Sequence, residues 1–596
     1  MFYNCQNLKS GYPWFRNSTN ISHMYDNCCN FSNDIGSSIF DKNYQNIAYA
    51  FNNCSNMGGH LYKFDEDYYN DYNVTNVVRA YTNCCKITGS PWTTPKLTNI
   101  YGMFAGCSNL TGNFVCGNNV IDMSEAYAGC VNILGPFVCG ENVTNMYGTY
   151  TQCSLTTEKP VCGNKVIDFS GTYMLCSNIS GLSVCGPNVT NMLLSYYGCS
   201  NLQGQPACGP NVICLYGTYA GCSNLTGPPV CGENVVNMSD TYSSCINLTG
   251  QPICGNNVVD MSYAYSDCYN LIDSPVCGNN VTDMSGTYRN CYNLTGQSVC
   301  GPNVTDMYGT YQNCYNLTGQ PVCGNNVTNM SNTYSDCYNL TGQPVCGPNV
   351  TDMRNTYRNC SNITGNFIFG NNVTDISGAY SNCINLTGPF VCGDNIIYMG
   401  YTYEGCKYIS DPPICGNNVY SMTYTYANCT NLIGPPVCGN NVSIMTGAYY
   451  NCFRMKGQPV CSNKISSFGY AYYNCTNLTG NPVVGSGIKI MSYAYYNCIN
   501  LTGKPAIENA SNVAYAYYNC KGLSGNVYFT NTNTGSLLST PDFNVTGCFG
   551  DKDNSKRLNI YVTASTNKKS MNVALHRTGT NSLIGKTITW SNAGSY

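Results

Sequence analysis

Forty-two cysteines are the residues of this 596-residue chain best equipped for chemistry, and most of them stand in two rows. The first row sets a cysteine every 23 residues from Cys84 to Cys498, and the second follows nine residues behind it, from Cys116 to Cys461. Cys291, Cys314 and Cys337 belong to the first row; Cys300, Cys323 and Cys346 belong to the second. Thiols in such rows could form disulfides, hold a metal or pack as small apolar side chains. A bridge within each repeat would orphan Cys360 or Cys475, because Phe369 and Val484 occupy the second-row position there. Metal sites use Cys-x-x-Cys pairs or Cys/His clusters. The chain has no Cys-x-x-Cys and only three histidines, His23, His60 and His576. Phe and Val in a cysteine slot fit a buried thiol ladder best, since free Cys is among the most buried residue types. A partial set of disulfides is the second reading and a metal site the third.

Other reactive constellations are sparse. Nucleophilic catalysis needs a nucleophile beside a base and an orienting group, and three isolated histidines offer little. A carbohydrate-cleaving rod would want clustered carboxylates, whereas acids such as Asp240, Asp260, Asp283 and Asp306 read as scattered. The one acidic cluster is KFDEDYYNDYN (63–73), with Asp65, Glu66, Asp67 and Asp71. It lacks the full pattern of a calcium-binding loop and reads as a solvated insertion. Neither an enzyme nor a cofactor is expected.

The elements that carry the cysteines follow from the period. A fixed repeat without insertions over so many copies marks a solenoid, in which each coil contacts mainly its neighbours. In one copy the apolar residues Val304, Met307, Tyr311, Cys314 and Leu317 are spaced 3, 4, 3 and 3 apart, which predicts one or two turns of α- or 3-10 helix with Met, Tyr and Cys inward. Asn303, Thr305 and Asp306 suit its start, and Thr318-Gly319 its end. Pro321-Val322-Cys323 predicts a short strand, and stacked strands a narrow parallel sheet. Val322 and Cys323 are both in apolar slots, so either could face the core. At about 4.8 Å per coil, the eighteen intervals of the first row predict a rod of roughly 90 Å. Three residues before each first-row cysteine stands a tyrosine, as at Tyr288, Tyr311 and Tyr334, from Tyr81 to Tyr495 with the single exception of Phe104. Asn recurs in the slots of Asn313 and Asn316, where its amide can bond turn backbone and stack in ladders. The many Asn-x-Thr triplets, such as Asn339-Leu340-Thr341, read as part of the same repeat.

Only 9% of residues are charged, against 53 tyrosines and 60 glycines, a composition of ordered rather than disordered chains. With 29 acidic and 26 basic residues the charge is nearly balanced, which excludes the electrostatic footprint of a nucleic-acid binder. No apolar run reaches the length of a membrane span, and no signal peptide is visible at Met1.

The segments MFYNCQNL (1–8), MFAGCSNLTG (103–112) and NVTNMSNTYSDCYNLTG (326–342) resemble the BspA-like leucine-rich repeats, and more closely the related repeats of mycoplasmal and gut-bacterial surface proteins. The resemblance covers roughly residues 1–525. It implies a right-handed, α/β-type leucine-rich solenoid that binds a host-surface protein or glycan, and it carries no catalytic motif to transfer. Without visible export or anchoring signals, the chain departs from the bacterial pattern and suits a phage virion component such as a tail fibre, with a bacterial cell-surface adhesin second.

Three regions result: irregular repeats with insertions at 1–83, regular repeats at 84–524, and a β-rich C-terminal cap or attachment domain at 525–596. The first-row spacing widens backward through Cys54, Cys28 and Cys5, and the open start at Met1 predicts docking on another virion or surface subunit. In the C-terminal region RLNIYVTAS (557–565) and KTITWSNAGSY (586–596) read as strands, among the basic residues Lys552, Lys556, Arg557, Lys568, Lys569, Arg577 and Lys586.

Binding information belongs to outer positions that vary between copies. In the last repeats a second tyrosine follows the inward one, at Tyr450, Tyr473, Tyr496 and Tyr518, and another precedes it, at Tyr424, Tyr470, Tyr493 and Tyr515. These eight are the candidate ligand-binding residues, a platform for sugar rings or a protein partner; lateral packing against the C-terminal region or a second copy competes. The rival class of function is a structural filament subunit or a decoration on a larger particle, and a homo-oligomer fits either class.

Overall fold

The computed structural model describes residues 2–10, 18–32, 43–61, 73–390, 392–507, 510, 512–529, 547–549, 558–563 and 588–591. Asp65, Glu66, Asp67 and Asp71 lie outside this set, as do Met1 and the seven C-terminal basic residues named above. The chain divides into two compact units, residues 1–296 with 301–303, and residues 297–300 with 304–596. Each is a stack of repeated coils.

The helix expected over each Met–Tyr–Cys segment does not form; among the described residues there is none. Residues 330–340 show what takes its place. The N–H groups of Met330, Asn332, Tyr334 and Asp336 donate to the carbonyls of Asp352, Arg354, Thr356 and Arg358 in the next coil, at 2.8–2.9 Å. The intervening N–H groups of Thr333, Ser335 and Cys337 donate three residues back, to Met330, Asn332 and Tyr334. The segment is therefore a run of overlapping turns cross-linked to its neighbour. Asn332 (φ 57°) and Asp336 (φ 65°) take left-handed conformations, which a right-handed helix excludes and which Asn, Asp and Gly tolerate.

The parallel sheet expected at Pro321-Val322-Cys323 is also absent. Pro321 has no N–H to give, and the Val322 backbone turns inward to the Tyr334 hydroxyl, which accepts from its N–H at 3.0 Å and donates to its carbonyl at 2.8 Å. Single parallel bridges instead join residues such as Asn329 and Asp352, just before the methionine. Neither Val322 nor Cys323 is fully buried; the core slot on this side is that of Pro321, taken by Phe114, Phe137, Phe367 and Phe390 in other coils.

Longer strands occur where the repeat is irregular. In the first unit β1 (Gly58–Leu61) pairs parallel with β2 (Lys86–Gly89). In the second, β3 (Gly525–Phe529), β4 (Leu558–Thr563) and β5 (Ile588–Ser591) form a three-stranded parallel sheet in that order.

The core of each unit is a column of stacked rings. In the first unit the column runs from Phe2 through Tyr25 and Phe51 to Tyr288, with centroids 5.4–6.0 Å apart. In the second it runs from Tyr311 through Tyr334 to Tyr517, apart from the Tyr380–Tyr403 step, and beyond Tyr517 to Phe549 at 5.9 Å. Tyr517 also donates its N–H to the Cys548 carbonyl. Phe549 and Cys548 thus continue the ring column and the backbone ladder one step beyond Tyr517. Met307, Leu317, Tyr288, Tyr311 and Tyr334 are all buried.

Candidate functional site

All 42 cysteines lie among the described residues, and none is bonded to another. Cys291, Cys314 and Cys337 are buried. The first-row thiol makes the same hydrogen bond from coil to coil, with Cys337 donating to the Tyr311 carbonyl at 3.0 Å and Cys245 to that of Tyr219 at 3.1 Å. Burial pushes the thiols up, Cys176 to about 12 and Cys245 well above its ordinary value. Cys300, Cys323 and Cys346 are half-buried. A second-row sulfur packs over the glycine of the following coil, where a Cβ on Gly347 would come within 3.0 Å of the Cys323 Sγ. Burial raises Cys323 to about 12 as well. These are protonated packing groups rather than nucleophiles.

The acids are less scattered than their spacing implies. Asp260 and Asp283 are bridged neighbours in one column. Their Oδ1 atoms accept from the N–H groups of Ser262 and Ser285 at 2.9 and 2.7 Å, so they act as local turn caps. Asp306 does the same for Tyr308 at 2.7 Å. Asp240 sits beside Asp260, and burial, then that neighbour, raises its carboxyl. Among the described residues no group of three or more His, Cys, Asp or Glu is placed to hold a metal ion.

The eight outer tyrosines come together. Tyr450, Tyr473, Tyr496 and Tyr518 stack in one column, with centroids 4.7–4.8 Å apart and planes within 11°. Tyr470, Tyr493 and Tyr515 stack in a second at 4.8–4.9 Å. Tilted contacts of 5.8–6.5 Å knit the columns into one face. Tyr424 reaches this face through Tyr450 at 6.2 Å, because Gly447 stands where the second column would have a ring. The Tyr424 ring lies over that glycine, in the space a Cβ would fill. Tyr401, stacked on Tyr424 at 5.4 Å, extends the face beyond the eight that the spacing singles out; its place two residues before the core Tyr403 is the signal that marks it.

Two features set this face apart from the core column. The second column occupies the left-handed slot, with φ of 58° at Tyr401, 48° at Tyr424, 57° at Tyr470 and Tyr493, and 53° at Tyr515. Glycine holds the same slot at Gly309, Gly378 and Gly447; a side chain with a Cβ there costs about 1–2 kcal/mol. The eight rings are half-buried, since stacked neighbours cover one another's faces. A platform of open ring faces is therefore not what the rows offer. Unlike the core hydroxyls, those of the outer rows have no protein partner among the described residues and are not buried. Burial raises the phenols of Tyr473, Tyr493 and Tyr496. Across residues 421–429, 444–452, 467–475, 490–498 and 512–520, which carry the face, there is no Asp, Glu, Lys, Arg or His. Glu404, in the coil before them, has its carboxyl raised by burial, against a Ser381 hydrogen bond and the Arg358 charge.

Residues 1–118 match the model of a Mycoplasma protein family of unknown function, DUF285, and residues 352–456 and 423–524 match the BspA type leucine-rich repeat region. No curated protein matches the chain. A leucine-rich repeat protein from Bacteroides ovatus ATCC 8483 is similar at 14% identity over 68% of this chain and 87% of that one, with a TM-score of 0.31. A leucine rich cell surface protein from Faecalibacterium prausnitzii A2-165 is similar at 12% identity over 72% and 90%, with a TM-score of 0.22. Each unit is a stack of repeated coils, and residues 352–524 carry repeats that match the BspA type. No helix among the described residues is long and apolar enough to cross a membrane.

Proposed function

We propose that this chain is a non-enzymatic recognition protein acting at an extracellular surface through its outer tyrosine face. The observation that carries this reading is the gathering of two tyrosine columns with free hydroxyls in one place. The left-handed slot of the second column recurs along the chain and elsewhere holds Gly or Asn, and also His23, Tyr49, Arg79, Glu125, Leu194, Asp240 and Tyr263; from Tyr401 to Tyr515 tyrosine fills it on every coil but that of Gly447. The BspA-type repeats favour a bacterial cell surface over a phage virion fibre as the place of display.

The native assembly mass, measured by mass photometry, and the iodination of Tyr473 and Tyr496 in the same sample test this. A single defined mass with both tyrosines reactive is the expected result. An open series of masses with both protected would mean that the face joins subunits, and the chain would then be a filament component.

A further inference from the structure

We infer that the ligand of the tyrosine face is a neutral polysaccharide, held by the phenol hydroxyls and ring edges rather than by stacking on ring faces. This rests on the recognition reading above and names its ligand class. Three observations lead there. The faces of the rings are already used: Tyr473 lies 4.7 Å from Tyr450 on one side and 4.8 Å from Tyr496 on the other, nearly parallel to both. A sugar or a partner's aromatic anchor has no room between them. What each ring still offers is its edge and a hydroxyl able to donate and accept, and none of these hydroxyls is taken by the protein among the described residues.

The second observation is charge. The five coils that carry the eight tyrosines hold no ionised side chain in residues 421–429, 444–452, 467–475, 490–498 and 512–520; the coil of Tyr401 holds Glu404. Neutral hydroxyl groups complement such a surface, whereas an acidic or basic ligand would lose hydration without gaining a partner. The third is periodicity. The hydroxyl-bearing rings recur every 4.7–4.9 Å along each column. A polymer of identical units laid along the columns meets an equivalent hydroxyl-bearing edge at every coil. Each further coil then adds an equivalent weak contact, and tethered contacts raise avidity with ligand length.

Affinity electrophoresis of the full chain through gels holding mannan, xyloglucan, laminarin or dextran tests this, with hyaluronan as the charged comparison. The expected result is retardation by at least one neutral polymer, unchanged by added NaCl, and inhibition by its oligosaccharides that strengthens with their length. Tyr473→Phe with Tyr496→Phe keeps both rings and removes two hydroxyls; affinity should fall about tenfold. Tyr473→Gln with Tyr496→Gln, using the residue that position holds at Gln312, should abolish retardation, and an unchanged unfolding midpoint shows that the coils remain folded. Phe variants that bind like the parent would overturn the hydroxyl mechanism. Retardation by hyaluronan alone, or by none of the polymers, would overturn the polysaccharide. If the tyrosines of that unretarded protein still iodinate in a single defined mass, recognition stands with another ligand; if they are protected in a mass series, both readings fall.

Discussion

The hydroxyl of Tyr265 donates to the Ile253 carbonyl at 2.7 Å and accepts from the Ile253 N–H at 3.1 Å, so one buried side chain satisfies both backbone groups of a residue on the opposite wall of its coil. The same pairing joins Tyr242 to Val230 and Tyr472 to Val460. Tyrosine is thus a cross-brace, and its ring stacking is only half of its role. Tyr265→Phe keeps the stack but leaves the Ile253 N–H and C=O without a partner in the interior. The expected loss is about 1–3 kcal/mol, read as a lower urea midpoint. A variant as stable as the parent would show that water or a rearranged backbone replaces the brace.

The first-row thiols make stability fall at high pH. Their folded pKa values lie above the unfolded value near 8.5, with Cys176 near 12 because of burial. A group raised in this way gives its full stabilisation below the unfolded pKa and loses it as pH climbs toward the folded one, since the unfolded chain then binds fewer protons. Each such thiol contributes a slope of about 1.4 kcal/mol per pH unit through that window. Denaturation midpoints should be flat below about pH 8 and drop steeply from about pH 9 upward. Below that window, alkylation of the native chain should spare Cys245 and Cys337, and alkylation in urea without reductant should label them. A flat profile to about pH 11, or protection in urea, would contradict buried free thiols.

The repeat, the inward tyrosine and the two cysteine rows are legible in the sequence because each needs only identity and spacing. The helix expectation fails for a definite reason: the 3-4-3-3 spacing of Val304, Met307, Tyr311, Cys314 and Leu317 is also what overlapping three-residue-advance turns produce. The deciding signal is present at Gly309 and Asn313, two residues suited to positive φ within one supposed helix turn, with φ of 57° and 63°. The misplaced sheet has a similar cause, since the demand of Tyr334 on the Val322 backbone spans the coil and leaves no mark in local composition. Spacing finds the outer tyrosines but not how they stack, because the contact is made with a ring one coil away.

The residue before the first-row cysteine carries a second ladder. Asn451 donates its side-chain N–H to the Asn428 Oδ1 at 2.9 Å and Asn474 to that of Asn451 at 3.1 Å; Asn497 donates in turn to Asn474. Asn474 also has φ of 63°. Two substitutions separate these roles. Asn474→Gly keeps the backbone at ease and loses the ladder, with an expected cost of about 1 kcal/mol. Asn474→Ala loses the ladder and strains the backbone, adding about 1 kcal/mol more. Equal urea midpoints for the two variants would mean that the left-handed conformation carries no cost here.

Gly447 is the position where the tyrosine face depends on the absence of a side chain. Its φ is 59°, and the Tyr424 ring occupies the place of its Cβ. The same arrangement recurs where the Tyr263 ring lies over Gly286 and the Tyr515 ring over Gly547, so a left-handed tyrosine lies over a glycine at these three places and stacks on a tyrosine one coil on at Tyr401, Tyr470 and Tyr493. Gly447→Ala should therefore cost more than the backbone alone, about 2 kcal/mol in all, because the ring of Tyr424 must leave Tyr450. In a Tyr424→Asn background, where the left-handed residue is one this chain uses at Asn332, only the backbone part of about 1 kcal/mol should remain. The double-mutant cycle therefore predicts a coupling of roughly 1 kcal/mol between positions 424 and 447. Additive effects would mean that the ring does not rest on the glycine, and Tyr424 would then be no part of the face that begins at Tyr401.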